Sequence, residues 1–303
     1  MNILYDIIIY MKYLNNEIIN LFNKLDIDLI GFCKLEYFKD LESILKEKER
    51  LGFKTSFEVG DIDDKTFKNS EYNSAIVIGV PYSKLNVDNR KEDEVYFSSV
   101  AVGIDYHIIL KDKLKFISDY LKDLGYKSFI GVDNNIYNER YLAYKSGLGF
   151  FGKNGMLIND KYGSFFYIGI ILTNALFKYG KPLNKKCYEC NKCINSCPTK
   201  AIKENYFVDG SKCLSYLTQK KSLTKEEEIF INECVYGCDI CQNICPHNSK
   251  TNEIDAKFVN INEFLNMSEE DYKNIYERNS SYWRGKKIID RNIKLYIENK
   301  LKK

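Results

Sequence analysis

The sequence predicts a mixed α/β fold: a layered α/β domain, then a compact cysteine-rich domain, then a short helical C-terminus. Three observations lead to this prediction. Strand-like apolar runs alternate with amphipathic helical segments over roughly residues 13–180. Nine of the ten cysteines lie between residues 185 and 250. The remainder of the chain is helical in pattern and basic.

Hydrophobic periodicity defines the elements of the α/β part. Apolar residues recur at helical spacing in residues 15–25, 41–51, 109–124 and 138–146. Strands are predicted at residues 29–32, 75–80, 128–132, 156–158 and 163–173. Gly52 and Gly125 end two of the helices, and Pro81 ends the second strand. The predicted division is an α/β domain at 1–180, a cysteine-rich domain at 181–250 and a basic helical segment at 251–303.

The charge of the chain is distributed unevenly. Lys and Arg exceed Asp and Glu by only 45 to 42 overall, but residues 271–303 hold 10 basic against 4 acidic side chains, a local charge of +6. A basic tail suits an anionic partner such as nucleic acid. A solvated helical C-terminus is the simpler alternative.

The N-terminal residues predict neither export nor a membrane anchor. The apolar run at residues 3–10 contains Asp6, is too short to span a bilayer and has no cleavage site after it. Met11 is an alternative start to Met1. A chain without an export signal is expected in the cytoplasm, where disulfides are rare, so ten cysteines indicate bound metal.

The spacing of the first cysteines indicates iron–sulfur clusters. Cys187, Cys190, Cys193 and Cys197 form the run C-x2-C-x2-C-x3-C, which Pro198 follows. In bacterial ferredoxins this run gives three thiolates to one [4Fe–4S] cluster, and its fourth cysteine ligates a second cluster. The cysteine-rich domain is therefore predicted to be ferredoxin-like and to bind two clusters.

A shorter downstream run is needed to complete both clusters. It reads C-x2-C-x3-C-P and is one cysteine short of the full motif. Cys213 is predicted to supply the missing ligand, and Cys234 is the competing candidate. Pseudo-symmetry predicts that one cluster is bound by Cys187, Cys190, Cys193 and Cys245. The other is predicted to be bound by Cys197, Cys213, Cys238 and Cys241. Cys33 is interpreted as a small buried apolar residue.

Structural zinc is the alternative for these cysteines. Zinc sites usually pair two C-x2-C knuckles and do not require three successive x2 spacings with a Cys-Pro step.

Two clusters provide a path for electrons, but a simple carrier does not need a large α/β domain in front of them. The reaction is therefore expected in that domain, and an electron-transfer protein without its own substrate is the alternative.

A glycine-rich segment, residues 147–152, matches G-x-G-x-x-G in the wrong context for dinucleotide binding. That fingerprint needs a strand before it, a helix after it and an acidic residue about 20 residues later. Here a helix precedes the glycines, a strand follows them, and positions 171–173 are Ile-Leu-Thr. The glycines are instead expected to let the backbone approach a large, flat ligand.

Asp133 is the candidate acid of the α/β domain. It follows a predicted strand, and ligands of open α/β sheets bind at the carboxyl ends of strands. Asp133 can deliver a proton there, or it can cap the helix that follows. Glu139 and Arg140 either pair with each other or face a phosphate. His107 is either a packing residue or a ligand.

Several short segments are specific in combination. They are Gly103–His107 (GIDYH), Val132–Asp133, Glu139–Arg140, Ser146–Asn154 (SGLGFFGKN), Gly163–Ser164, Ile171–Asn174, Cys213–Thr218 (CLSYLT), Tyr236–Gln242 (YGCDICQ), Tyr282–Lys287 (YWRGKK) and Arg291–Asn292. With these segments the chain resembles the epoxyqueuosine reductases, cobalamin-dependent iron–sulfur enzymes of queuosine tRNA modification, along most of its length.

The resemblance implies a mechanism. Electrons from an external low-potential donor pass through the two clusters to a base-off cob(II)alamin in the α/β domain, which is thus cobalamin-binding. Epoxyqueuosine at the wobble position of tRNA is reduced to queuosine, with Asp133 as proton donor. Cobalamin contacts are expected from Asp133, Lys153, Asn154 and Ser164, with the glycine-rich loop against the corrin. RNA backbone contacts are expected from Arg140 and Lys220. The enzyme is expected to be a monomer that binds no membrane.

Two stretches depart from the family pattern. Asn134 and Asn135 follow Asp133, where many members have a glycine and a small residue or proline. Residues 98–103, SSVAVG, lack a tryptophan or cysteine that is often found there.

The chain stops at Lys303, so the helical repeats that grip tRNA in longer members are expected to be missing. Reductive dehalogenases share the plan of cobalamin with two clusters, so reduction of a small molecule is the alternative function.

Overall fold

The structure, a computed structural model, describes the backbone of residues 3–302 and the side chains of residues 8–302 other than Asn205. Its helices are α1 (Ile3–Asn23), α2 (Lys39–Arg50), α3 (Ile62–Lys65), α4 (Tyr106–Asp123), α5 (Glu139–Lys145), α6 (Lys192–Ser196), α7 (Leu214–Leu217), α8 (Lys225–Glu228), α9 (Ile240–Asn243), α10 (Ile261–Asn266), α11 (Glu269–Tyr276) and α12 (Lys286–Leu301). Its strands are β1 (Leu29–Lys34), β2 (Ser74–Pro81), β3 (Lys84–Asn86), β4 (Glu94–Phe97), β5 (Ser128–Gly131), β6 (Phe150–Phe151), β7 (Leu157–Ile158), β8 (Phe166–Thr173), β9 (Cys234–Tyr236), β10 (Glu253–Asp255) and β11 (Val259–Asn260). Met1 lies outside the described residues. Within them, no helix is long and apolar enough to cross a membrane.

The central sheet has the strand order β1-β2-β8-β5. Each neighbouring pair is antiparallel. The predicted mixed α/β class is confirmed, but the rule used for Asp133 belongs to open parallel sheets and does not apply here. The alternation of strands and helices does not reveal strand direction, because long connections allow either direction.

Strand β2 is the middle of a layered core, and alternate side chains point to opposite faces of it. Ile76 and Ile78 pack with α1 and α4 on one face. Ala75 and Val77 pack with α2 and α5 on the other face. All four are fully buried, and burial of a side chain of valine or isoleucine size stabilises the fold by about 1.5–3 kcal/mol.

Smaller sheets join the three predicted segments of the chain. Strand β4 pairs in parallel with β9 and antiparallel with β11. Strand β3 pairs in parallel with β10. A shared apolar core contains Val95, Val235, Phe264 and Ile293, one or more from each segment. The domain limits at 180 and 250 therefore stay a prediction. Strand pairing and the shared apolar core connect the three segments across those limits.

Candidate functional site

Four of the predicted cluster ligands surround one cavity. It is partly open to solvent. Its lining consists of Cys187, Cys190, Cys193 and Cys245 with Lys153, Asn154, Ile158, Lys192, Pro246 and His247. The cysteines are free thiols. A ring of thiols around a space is the arrangement that a multi-iron cluster needs, so these residues fit one [4Fe–4S] cluster.

The other four predicted ligands are also neighbours. Cys197 is buried in a small apolar cluster against which Cys213 and Cys241 pack. Burial raises the pKa of Cys238 to about 12, with smaller contributions from the nearby thiols of Cys213 and Cys197. In the described part of the chain, no three Cys, His, Asp or Glu side chains are grouped as for a single metal ion.

The two remaining cysteines are packed in strands. Cys234 is buried in β9, and its thiol lies 3.6 Å from the carbonyl oxygen of Tyr236 and 3.7 Å from that of Gly237. Cys33 is buried in β1, and burial raises its pKa to about 12. The geometry of Cys234 supports Cys213 as the ligand of the second cluster.

Asn154 lies between the two groups of thiols. It lines the first cavity, and it is also close to Cys241, a thiol of the second group whose pKa burial raises. Its Oδ1 accepts a hydrogen bond from the backbone N–H of Met156 at 3.3 Å. Its Nδ2 is buried and has no hydrogen-bond partner among the described residues. The amide therefore offers a free donor where the two clusters are expected.

Two further side chains flank the first cavity. Lys153 donates to Oδ1 of Asn191 at 2.8 Å, on the loop that carries Cys190. His247 stacks on Tyr188 with ring centroids 3.9 Å apart. This imidazole ring forms part of the cavity lining.

The glycine-rich loop packs closely against the protein itself at two of its glycines, and the expectation of a flat ligand beside the loop stays a prediction. A Cβ on Gly147 would lie 2.7 Å from the carbonyl oxygen of Lys181. A Cβ on Gly149 would lie 2.5 Å from the carbonyl oxygen of Ile158. Both contacts are shorter than any real Cβ makes, so at these two positions glycine is required by close packing of the chain against itself.

Asp133 lies on a strained turn after β5. Asp133 and Asn134 have φ angles of 42° and 40°, in the left-handed region, at a cost of about 1–3 kcal/mol each. The Tyr106 hydroxyl donates to Oδ2 of Asp133 at 2.6 Å. The Asp133 side chain is still 59% exposed. The helix-cap alternative is wrong, because Asn138 caps α5 by accepting from the N–H of Tyr141 at 3.1 Å.

His107 belongs to the same site. Asp105 caps α4, and its Oδ1 lies 2.7 Å from Nδ1 of His107. Burial favours the neutral form of Asp105, but hydrogen bonds from His107 outweigh burial and lower the pKa of this carboxyl. Nε2 of His107 is 3.9 Å from Oδ2 of Asp133. The sequence did not decide whether His107 is a packing residue or a ligand. An acidic residue two positions before it, at the start of a helix, could have indicated that the two side chains pair.

Glu139 is a second carboxyl near Asp133. Burial, with the negative charge of Asp133, raises its pKa to about 8. It accepts a hydrogen bond from Nδ2 of Asn135 at 2.5 Å. Glu139 is therefore mostly protonated at neutral pH, and it neither pairs closely with Arg140 nor faces solvent as a phosphate ligand would.

Three other predicted site residues already have partners in the chain. Arg140 donates to the carbonyl oxygen of Gly155 at 2.9 Å. Lys220 pairs with Glu227 at 2.7 Å. Ser164 lies in the interior, where its polar groups contact the side chains of Asn248 and Gln242.

A stack of tyrosines connects the Asp133 site with the second group of thiols. Tyr106 stacks on Tyr167 with centroids 4.7 Å apart, and Tyr167 stacks on Tyr82 at 4.4 Å. Nε2 of Gln242 donates to the Tyr82 hydroxyl at 3.4 Å. Gln242 follows Cys241 in α9, so the acid and the cysteine are linked by packed side chains.

A mixed α/β domain joined to two groups of four cysteines defines a two-cluster iron–sulfur protein, and residues 186–248 match a family model described as "4Fe-4S double cluster binding domain". Residues 68–133 match "Epoxyqueuosine reductase QueG, DUF1730". An epoxyqueuosine reductase of Bacillus anthracis is 34% identical over 302 residues, 93% of this chain and 79% of that protein. This chain belongs to the epoxyqueuosine reductase family.

Solved structures agree with this assignment. An epoxyqueuosine reductase with an epoxyqueuosine-modified tRNA-Tyr stem loop superposes with a TM-score of 0.89 at 29% identity, over 95% of this chain and 81% of that one. A Bacillus subtilis epoxyqueuosine reductase, with its catalytic aspartate loop swung out of the active site, gives 0.88 at 29%, over 95% and 82%. A catabolic reductive dehalogenase gives 0.54 at 14%, over 94% and 36%, which shows a shared fold alone.

Proposed function

We propose that this protein is an epoxyqueuosine reductase that removes the epoxide oxygen of epoxyqueuosine in tRNA. The observation that carries the proposal is the exposed Asp133 carboxyl beside a two-cluster domain, in a chain of this family. A relative's complex with an epoxyqueuosine-modified stem loop supports the same substrate. Small-molecule reduction has only a fold likeness in its favour.

The proposed reaction takes two electrons and two protons: both epoxide C–O bonds break, a carbon–carbon double bond forms, and the oxygen leaves as water. Electrons enter from a low-potential donor, because cluster potentials reach well below zero. The proposed ligands of one cluster are Cys187, Cys190, Cys193 and Cys245. Those of the other are Cys197, Cys213, Cys238 and Cys241.

Asp133 is proposed to hold the proton that the departing oxygen takes. The Tyr106 hydroxyl fixes Oδ2, and Oδ1 has no hydrogen-bond partner among the described residues. Burial, with the Asp133 charge, raises the pKa of Tyr106 far above its ordinary value, so Tyr106 stays a donor. His107 lies beside Asp133 and can return a proton to it after turnover.

Base-off cobalamin is proposed as the group that delivers electrons to the epoxide carbon. The surroundings of Asp133 fit such a group, because the carboxyl is exposed and stacked aromatic rings lie next to it. Asp133, Lys153 and Asn154 are the proposed contacts. Ser164 is more simply assigned to orienting Asn248 and Gln242.

The proposed partner is the anticodon loop of tRNA. The protein is proposed to bind it as a monomer in the cytoplasm. Arg140 and Lys220 remain proposed phosphate contacts, since Arg and Lys make most such contacts. Each must exchange a present partner, Gly155 or Glu227, for a phosphate oxygen.

Purified protein with reconstituted clusters, cobalamin and a chemical reductant is expected to convert an epoxyqueuosine-containing stem loop to the queuosine form. Mass spectrometry of the digested RNA measures the loss of one oxygen atom. A strain from which the gene for this protein is deleted is expected to accumulate epoxyqueuosine in its tRNA. Unchanged RNA with fully loaded enzyme, together with normal queuosine in the deletion strain, would refute the proposal.

Replacing Asn154 with leucine is expected to make the midpoint potential of an adjacent cluster more negative. The Nδ2 donor is buried beside both groups of thiols, and hydrogen bonds to cluster sulfurs raise the potential. A hydrogen bond of about 1 kcal/mol corresponds to about 40 mV for a one-electron couple. EPR-monitored redox titration measures the shift.

The control for Asn154 is Asn195→Leu. Asn195 lies on α6 in the same cysteine-rich region, but its side chain is exposed. The midpoint potentials of both clusters in Asn195→Leu should match those of the unsubstituted protein. Equal potentials in Asn154→Leu, with both clusters present, would show that the amide does not act on a cluster.

A further inference from the structure

An aromatic and cationic surface patch, formed by Phe57, Tyr216, Trp283 and Arg284, is unused by the mechanism above. Phe57 contacts Tyr216 and Trp283 edge to face, with centroids 4.9 Å and 5.3 Å apart. The guanidinium of Arg284 lies over the Trp283 ring at 4.4 Å and over the Phe57 ring at 5.4 Å. These four side chains, called the aromatic patch below, come from three separate parts of the sequence.

Trp283 is held in place and yet exposed. Its indole N–H donates to the Tyr236 hydroxyl at 2.8 Å, which fixes the ring. The residue is still 56% exposed. A large rigid aromatic side chain open to solvent is the usual platform for an unpaired nucleobase.

Arg284 lacks an anionic partner in the chain. Among the described residues it makes no ion pair, and its Nε is buried without a hydrogen-bond partner. Burial lowers its pKa, so its positive charge is only partly compensated by its surroundings. Arginine binds phosphate oxygens through two parallel N–H groups, so a phosphate supplies what this side chain lacks.

The patch borders the proposed active site. The N–H of Asp105 donates to the carbonyl oxygen of Arg278 at 2.7 Å. Nδ2 of Asn279 donates to the carbonyl oxygens of Ala101 and Gly103 at 2.6 Å and 3.0 Å. The segment that leads into Trp283 is thus bonded to the residues just before Tyr106. Asp105 and Asp133 are also close enough to Tyr236, the hydrogen-bond partner of Trp283, for their charges to raise its pKa.

We propose that the aromatic patch binds an unpaired RNA nucleotide next to the target base, with the base stacked on Trp283 and its phosphate held by Arg284. This inference rests on the proposed function, because it needs a single-stranded RNA substrate. An unpaired nucleotide supplies both groups that the patch accepts: a flat ring and an anion. A duplex supplies the phosphate but no free ring, so the patch favours a loop.

Indole fluorescence tests the proposal directly, because Trp283 is the single tryptophan of the chain. The probes are a hairpin RNA whose anticodon-type loop carries epoxyqueuosine and a blunt duplex of the same stem, each titrated without reductant into protein that carries its clusters. Saturable quenching by the hairpin, with little by the duplex, is expected. Hairpin binding that is seen by fluorescence anisotropy of labelled RNA but leaves the indole emission unchanged would overturn the proposal.

Substitutions provide a second, independent measurement. Trp283→Ala is expected to weaken hairpin binding about tenfold or more, and Trp283→Phe is expected to recover most of it, because stacking of one base is worth about that much. Arg284→Gln should weaken binding and reduce the salt slope by about 0.7–0.9, the loss of one phosphate contact. The matched control is Phe116→Ala on α4, an aromatic residue 52% exposed, which should bind as the unsubstituted protein does.

The outcomes separate this inference from the proposed function. If the unsubstituted protein binds and reduces the hairpin while Trp283→Ala and Arg284→Gln bind equally well, the patch proposal fails and the function stands. If Trp283→Ala slows cluster reduction by the electron donor without changing hairpin affinity, the patch serves a protein partner and the RNA proposal is overturned. If the unsubstituted protein neither binds nor reduces the hairpin, both fail together. Iron content and circular dichroism check that each variant is folded.

Discussion

Replacing Asp133 with asparagine is expected to lower turnover about 10²- to 10⁴-fold, the usual contribution of a general acid. Asparagine keeps the shape and can still accept the Tyr106 hydroxyl, so the strained turn should persist. It has no transferable proton at this position. Because the amide preserves the shape of the side chain, iron content should be unchanged and cobalamin should still bind, and single-turnover kinetics on the modified stem loop measure the loss of turnover.

Two neighbouring variants show whether the loss is specific to Asp133. Glu139→Gln should retain activity at pH 7 within a few-fold, because a pKa of about 8 leaves Glu139 mostly protonated and an amide resembles the neutral acid. Tyr106→Phe removes one hydrogen bond and should cost about fivefold, since such bonds are worth roughly 1 kcal/mol. Full activity in Asp133→Asn would refute the proton-donor role, whatever the two controls do.

Replacing Cys213 with alanine is expected to remove one of the two clusters, so that iron falls from about eight to about four per chain. The thiol of Cys213 packs on the small apolar cluster that contains Cys197, and it is close enough to raise the pKa of Cys238. Loss of one cluster should also stop turnover, because electrons then lack a complete path. Iron and sulfide analysis of anaerobically purified protein measures the change.

Cys234→Ala is the matched comparison, since Cys234 is the competing ligand and lies four residues before Cys238. Its buried thiol faces the carbonyl oxygens of Tyr236 and Gly237, so alanine should leave both clusters and cost only a little stability. Cys33→Ala, in the other domain, should also keep about eight irons. The assignment is reversed if Cys234→Ala loses half its iron and Cys213→Ala does not.

The cysteine region was the most predictable part of this protein. Cluster ligands follow one another at fixed short spacings, because a tight loop must wrap three corners of one cube. Even the crossover of Cys245 to the first group follows from the symmetry of the motif, and the structure brings that thiol to the predicted neighbours. Helices and strands were also accessible, since the apolar period of a helix differs from that of a strand.

The surroundings of Asp133 were not predictable from local pattern. Tyr106 is 27 residues away in sequence, and the hydrogen bond between them depends on how β5 and α4 pack. The same is true of Phe57, Tyr216 and Trp283, which meet only after folding. The glycine-rich loop is ambiguous for the same reason: a missing side chain marks a close approach but not the identity of the group that approaches.

The sequence by itself determined the family, the two-cluster chemistry and the mixed α/β class, because each depends on residue types at short, fixed separations. Only the tertiary structure decided the antiparallel order of the sheet, the tyrosine stack from Asp133 toward Cys241, and the position of Asn154 between the thiol groups. These features depend on contacts between distant parts of the chain. Such contacts are set by the packing of whole elements, which no short stretch of sequence specifies.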